Sequence, residues 1–320
     1  MRKLNYKTGL AFFIVLSLAI TGLSRLTMPF ISDFYYQDHY DVVFFGTSES
    51  FTTFDPHVMA EYGISSYNRG RMTQPIYMTY YYMLDAIDAC DINTIVLEPH
   101  ALYDDTAPGM ELKQEVIDST LNNMRFSKYK VQMIRECLEK DIQFANLFYL
   151  DKYHGRWQQM AQWPKENWGY LFRGEGEGEN LGFQPWTTYQ AMDEPYPSVE
   201  ERKEPKDFEM SETGVEYLDK IYDLCQENNI RLIVAKSVYP CNDSDIGVAQ
   251  YMAKWCADRD VPFYDYMMAY EALGIIEEED DADGGFHLNI NGADKVSRHF
   301  AQVLYNNEYY KKPGEATGEQ

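Results

Sequence analysis

Short runs of uninterrupted apolar residues, separated by stretches with a helical period, set the rhythm of this chain. Val42 to Phe45 are apolar without a break, β-branched then aromatic, the pattern of a strand buried on both faces. Asn93-Thr-Ile-Val-Leu-Glu98 and Arg231-Leu-Ile-Val-Ala235 repeat it, with shorter versions at Ile64 to Tyr67 and Val261 to Tyr264. Between them lie helical stretches. Met72 to Ala89 reads as one. Ser211 can cap another with Val215, Leu218, Ile221 and Leu224 on one stripe. A further helix carries Val248, Met252, Trp255 and Cys256, and the last, from Gly292 with Asn291 as its cap, turns Val296, Phe300, Val303 and Leu304 inward. Strands alternating with helices predict an α/β fold with a parallel sheet and right-handed crossovers.

The stretch 101–210 breaks that rhythm. It holds helical patches (Leu112 to Asn122, Tyr129 to Leu138), a tryptophan-rich segment from Trp157 to Trp168 and a Gly-Glu run from Gly174 to Glu179. It reads as an insertion, largely helical, over one edge of the sheet within a single domain spanning 29–310. The tail from Tyr309 is polar and is expected to be disordered, 311–320 above all.

At the front, Arg2, Lys3 and Lys7 precede a stretch from Thr8 to Ser24 without a charged residue. That pattern predicts a membrane anchor over 1–28, its N-terminus cytoplasmic and the rest of the chain exported. A cleaved signal peptide is the competing reading, against which stands the lack of a small-residue cleavage site after the apolar run. The net charge of −23, from 51 acidic and 28 basic residues, speaks against nucleic acid and favours neutral or cationic substrates. The five cysteines are widely spaced with no Cys-x-x-Cys pair, which predicts core thiols or one disulfide rather than zinc. No cofactor and no metal is implied. Glu277 to Asp283 is an acidic run without the ligand spacing of a calcium loop, and reads as a solvated loop.

Two stretches carry candidate chemistry. The first strand stops at Gly46 and is followed by Thr47-Ser-Glu-Ser50, a glycine turn with a serine at a helix start. Such a turn aims a nucleophile out of a parallel sheet, and the backbone N–H of Ser48 faces the place of a developing oxyanion. Near the other end, Asp280-Asp-Ala-Asp-Gly-Gly-Phe-His287 places a histidine before the last helix. Loops at the carboxyl ends of parallel strands converge on one rim, so the two can meet. Ser48 is then the nucleophile, His287 its base, and Asp283 the acid that orients the imidazole. Asp281 or Asp280 is the alternative orienter.

Gly46-Thr-Ser48 together with Asp283-x-x-x-His287-Leu-Asn-x-x-Gly292-Ala293 resembles the first and last sequence blocks of the SGNH (GDSL-like) hydrolases. The nearest kin by this resemblance are membrane-anchored, extracytoplasmic members related to DltD and the alginate O-acetylation proteins. Residues 40–100 and 210–305 carry it; Tyr153-His-Gly-Arg-Trp157 is similar to an element of anchored bacterial relatives. The resemblance implies a flavodoxin-like three-layer α/β/α fold and hydrolysis or transfer of acyl esters on envelope polysaccharide. It also implies a cell-surface polysaccharide or other acylated envelope polymer as partner, and a membrane-bound acyl donor protein as a second. There are departures. The turn is Gly-Thr-Ser rather than Gly-Asp-Ser or Gly-Ser-Ser, one extra residue separates Asp283 from His287, and the Gly-x-Asn-Asp block is missing. His100 stands at the comparable place, so the oxyanion hole is expected from the Ser48 amide, Gly70 and Asn68 or His100. The other class that fits is a non-catalytic, anchored carbohydrate-binding or assembly protein on a degenerate hydrolase fold.

Overall fold

The structure is a computed structural model, and it describes residues 6–27 (backbone only over 21–27), 32–103, 106–148, 180–190, 196–239, 242–284 and 286–314. Helix α1 (Tyr6–Thr27) comes first. Strand β1 (His39–Phe45) leads through two short helices, α2 (Ser48–Thr53) and α3 (Pro56–Glu61), to β2 (Ser66–Asn68), α4 (Ile76–Ala89) and β3 (Asp91–Leu97). The insertion supplies α5 (Gln114–Leu121), α6 (Lys128–Cys137), α7 (Lys140–Leu147) and α8 (Val199–Lys203). The α/β rhythm then resumes with α9 (Glu212–Glu227), β4 (Arg231–Lys236), α10 (Asp243–Ala257) and β5 (Phe263–Asp265). A small ribbon follows, in which α11 (Glu277–Asp280) runs into β6 (Asp281–Ala282) and its antiparallel partner β7 (His287–Leu288), before the closing helix α12 (Ile290–Asn306).

The five main strands are parallel in the order β2-β1-β3-β4-β5. This is the doubly wound arrangement in which the order reverses between β1 and β3, and the crevice outside their carboxyl ends is where such folds place ligands. The strands are buried on both sides. Val43, Phe45, Ile95, Leu97, Leu232 and Val234 face one core, whereas Val42, Phe44, Val96, Ile233 and Ala235 face the other. Burying each of the larger side chains contributes about 1.5–3 kcal/mol, which accounts for the unbroken apolar runs. Helices α4, α9 and α10 cover the first face, through residues such as Tyr82, Leu218 and Met252. Helix α12 covers the second with Val296, Phe300 and Leu304, joined by Phe54 and Met59 of the α2–α3 segment. The three-layer α/β/α expectation therefore holds.

Ser211 caps α9 as its position implies, accepting from the Gly214 N–H. The cap of α12 is Asn289 rather than Asn291. Its side-chain oxygen accepts from the N–H groups of Asn291 and Gly292, while its amide donates to the carbonyls of Glu279 and Asp281. One buried asparagine thus starts the helix and pins the acidic segment.

That segment is solvated only in part, at Glu278 and Glu279. Asp280 and Asp281 are buried, Asp280 paired with Lys295 and Asp281 accepting from the Tyr196 hydroxyl. Residues 309–312 are better held than their composition implies, and 315–320 lie outside the described residues. The carbonyls of Tyr309 and Tyr310 accept from the side chains of Thr94 and Asn93, and Lys312 pairs with Asp91. Cys90, Cys137, Cys225 and Cys256 are buried free thiols; Cys241 lies outside the described residues.

Helix α1 stands clear of the core, with Phe12, Phe13, Val15 and Leu18 each more than half exposed. Among the described residues no helix is long and apolar enough to cross a membrane, so the spanning anchor expected over 1–28 is not found among them.

The insertion divides in two. Ile117, Leu121, Met133 and Ile134 join the core beneath α4. Residues 180–190, by contrast, run along the carboxyl edge of the sheet. There the carbonyls of Leu181, Phe51 and Trp186 accept from the N–H groups of Asn68, Gln184 and Ile290 in turn. Gly182 (φ +81°) is obligatory on this path, because any Cβ would overlap the Asn68 carbonyl oxygen. The tryptophan-rich segment and Tyr153 to Trp157 lie outside the described residues.

Candidate active site

Phe45 ends β1 in the core, and the chain turns at once. Gly46 (φ +147°) has its Cα against Glu98, so close that a Cβ would come within 2.7 Å of the Glu98 Cβ. Only glycine fits there. Thr47 then caps α2, its Oγ1 accepting from the Glu49 N–H at 3.3 Å. Ser48 occupies the first helical position, half-buried, where its own N–H has no intrahelical acceptor. Its Oγ makes no hydrogen bond among the described residues.

His287 comes from the opposite end of the chain on β7, which packs against α2. The β6–β7 turn begins at Asp283, held in the left-handed region at φ +43°. From there its carboxylate grips the histidine twice, Oδ1 accepting from the His287 backbone N–H at 3.1 Å and Oδ2 lying 2.9 Å from Nδ1. A carboxylate there fixes the proton on Nδ1 and leaves Nε2 to act as a base. The Trp186 ring stacks on the imidazole with centroids 5.6 Å apart and an interplanar angle of 11°. Asp280 and Asp281, the alternative orienters, are committed to Lys295 and Tyr196 instead.

Nε2 faces Glu49 Oε1 at 3.6 Å. The structure therefore gathers Ser48, Glu49, Asp283 and His287 at one rim but forms no Ser48–His287 hydrogen bond. Such bonds are often long in unliganded sites and tighten on substrate binding.

The expected oxyanion donors fare unequally. Asn68 is fully buried and spent on structure, its amide donating to the carbonyls of Ser50 (2.8 Å) and Phe54 (2.9 Å). The Gly70 N–H donates to the Asn68 side-chain oxygen at 3.0 Å. Neither group is available to a substrate oxygen. Their hydrogen bonds brace α2 and the β2 end, where unpaired buried groups would be costly. The Ser48 N–H and His100 remain. The His100 imidazole packs against the rings of Tyr103 and Tyr239. Burial, with the charges of Lys236 and His287 nearby, pushes its pKa down to about 3. It is thus neutral at physiological pH and keeps an N–H to donate.

Three charged residues absent from the sequence expectations line the floor. Glu49, Glu98 and Lys236 are each at most 4% exposed. Burial and the neighbouring Glu98 raise the Glu49 pKa well above the usual carboxylate range, against the pull of Lys236. Burial pushes Glu98 up to about 7, with Lys236 and hydrogen bonds from His100 and Thr47 opposing. The Lys236 ammonium lies over the Tyr239 ring, 3.8 Å from its centroid. A signal existed for two of them. Glu98 and Lys236 each end an apolar strand run, and a charge at the carboxyl end of a buried parallel strand points at the ligand crevice. Nothing in sequence marks Glu49. Among the described residues no cluster of His, Cys, Asp or Glu is arranged to hold a metal ion.

No family model matches the chain, and no curated protein matches it. Among solved structures, one that is similar is a Bacteroides fragilis protein assigned as an acylhydrolase. The identity is 12%, the coverage 89% of this chain and 93% of that one, and the TM-score 0.37. Another is a GDSL-like lipase of Bacteroides thetaiotaomicron at 12% identity, covering 84% and 89% of the two chains with a TM-score of 0.37. Likeness at that level carries no argument about reaction or substrate.

Proposed function

We propose that the protein is a serine esterase or O-acyltransferase acting on acyl esters of cell-envelope carbohydrate. The observation that carries the reading is the double grip of Asp283 on His287, beside a serine turn at the carboxyl edge of the sheet. In this mechanism His287 Nε2 takes the Ser48 proton as Oγ attacks the ester carbonyl, and Asp283 stabilises the imidazolium that forms. The Ser48 N–H and the neutral His100 donate to the oxyanion. His287 then returns the proton to the leaving sugar oxygen, and an acyl-Ser48 remains. Water or another sugar hydroxyl releases the acyl group by the same steps in reverse, which makes the enzyme a hydrolase or a transferase. A net charge of −23 suits a neutral or cationic substrate.

On this reading the site lies outside the cytoplasm, close to a membrane-bound acyl donor. The exposed apolar row of α1 and the basic residues before it support this placement. Protease added to intact cells should digest residues 30–320 and spare the N-terminus; release of a shortened soluble protein would indicate signal cleavage instead.

A fluorophosphonate tests the chemistry, since an activated Ser48 becomes covalently labelled and Ser48→Ala does not. The absent Ser48–His287 hydrogen bond, with Glu49 at Nε2, favours a second reading as a non-catalytic carbohydrate-binding or assembly protein. Failure of the wild-type protein to label would select that reading.

A further inference from the structure

Glu98 takes no part in these proton transfers, yet its carboxyl touches both halves of the site. One oxygen, Oε2, accepts from the Thr47 hydroxyl at 3.2 Å, and the other, Oε1, accepts from the His100 backbone N–H at 3.0 Å. Thr47 is the residue before Ser48 and the cap of its helix. Gly46 runs so close to Glu98 that no Cβ fits between them, which sets the serine turn directly against this residue. The residue is 1% exposed, and its backbone N–H donates to Phe45 O, tying the end of β3 to the end of β1.

We propose that Glu98 is a positioning residue, a single carboxylate that sets the distance between the serine turn and the His100 loop. The inference rests on the reading of Ser48 as nucleophile and His100 as oxyanion donor. It also gives the missing Asn block a local replacement, since the strand end that lacks the asparagine donor carries a carboxylate that organises other donors.

The charged and titratable groups that face Glu98 are Lys236 from β4, Glu49 from α2 and His100 beyond β3. Burial opposes the ionised form, whereas Lys236 and the hydrogen bonds from His100 and Thr47 favour it. With its pKa pushed up to about 7, Glu98 takes up a proton as the pH falls through neutrality. The neutral carboxyl is a poorer acceptor for both donors. Protonation therefore loosens the two loops together.

The test compares kcat and KM for 4-nitrophenyl acetate, and Tm, for wild type, Glu98→Ala, Glu98→Gln, Thr47→Ala and Thr47→Ser between pH 5 and 9. Removing the carboxyl in Glu98→Ala should lower kcat about 100-fold, the cost of roughly ångström misplacement, with KM little changed. Glu98→Gln, like the protonated carboxyl, keeps one oxygen to accept from the His100 N–H and turns a donor toward Thr47 Oγ1, so its kcat at pH 8 should fall several-fold below wild type, part of the way to Glu98→Ala. Its acid limb should reflect one proton, that of the base, where the wild-type limb reflects two. Thr47→Ala should fall, and Thr47→Ser should restore kcat.

Wild-type kcat in Glu98→Ala, or an unchanged two-proton limb in Glu98→Gln, would overturn the assignment. Should Glu98→Ala not fold, the Glu98→Gln limb and the Thr47 pair decide it. Ser48→Ala in the same assay separates the two ideas. Activity surviving there refutes the nucleophile, whereas activity lost there but kept in Glu98→Ala refutes only the role of Glu98.

Discussion

Asp283→Asn is the most discriminating single change. Asp283 supplies two acceptors, one to the His287 N–H and one to Nδ1, at 3.1 and 2.9 Å. Asparagine keeps only one. If its oxygen stays with the backbone N–H, its NH₂ faces Nδ1 and moves the ring proton to Nε2, where it cannot receive the proton of Ser48. The backbone adds little to this cost, because φ is +43° and asparagine tolerates the left-handed region well. The serine-protease precedent for this change is a loss of about 10⁴ in kcat. The side chain of Asp283 is 26% exposed, so solvent screens part of its effect and a loss of about 10³, or ~4 kcal/mol, is expected. The assay is hydrolysis of 4-nitrophenyl acetate with Tm followed in parallel. Asp280→Asn and Asp281→Asn are the controls. Both side chains are buried and paired away from His287, so they should lower Tm more than kcat. Equal and small kcat losses in all three variants would refute Asp283 as the orienter and leave His287 working as part of a dyad.

Ser48→Ala should abolish hydrolysis with Tm nearly unchanged, because the Ser48 hydroxyl is half-buried and unbonded among the described residues; His287→Ala should fall comparably, and the double variant no further. Trp186→Ala, which removes the ring stacked on His287, should cost roughly 0.5–1.5 kcal/mol, a several-fold drop in kcat; no drop would show the stack to be idle. Burial pushes Asp281 from an ordinary 3.8 up to about 7. Between those values the folded state holds a proton that the unfolded chain has lost, so its stabilising effect is full below 3.8 and gone above about 7. Stability from this group thus falls as pH rises, and Asp281→Asn should shrink the Tm difference between pH 5 and pH 8. An equal difference in both proteins would contradict the shift.

Much of the architecture was legible because it depends on local pattern. A strand buried on both faces must be apolar at every position, so Val42 to Phe45 and Leu232 to Ala235 declare themselves without neighbours. The glycine turn before Ser48 and the histidine before the last helix are local as well, and parallel topology sends both loops to one rim. Strand order is another matter. It depends on which crossovers pack over which face, and no single segment encodes that. The fate of polar groups is equally nonlocal. Asn68 and Gly70 are plausible oxyanion donors until Asn68 is seen to spend its amide on Ser50 and Phe54, and Gly70 its N–H on Asn68.

The acidic run reads as solvated because like charges repel and seek water. Yet Lys295, Tyr196 and Asn289 come from elsewhere to pair its last carboxylates and carbonyls, and so permit burial. Glu49, Glu98 and Lys236 became part of the site only once β1, β3 and β4 were side by side. By itself the sequence determined the buried strands, the α/β class and the two loops that carry candidate chemistry, since each follows from hydrophobic period and turn chemistry. The tertiary structure decided which acid holds His287, which donors are free and which charges are buried, because those depend on partners brought together from distant parts of the chain.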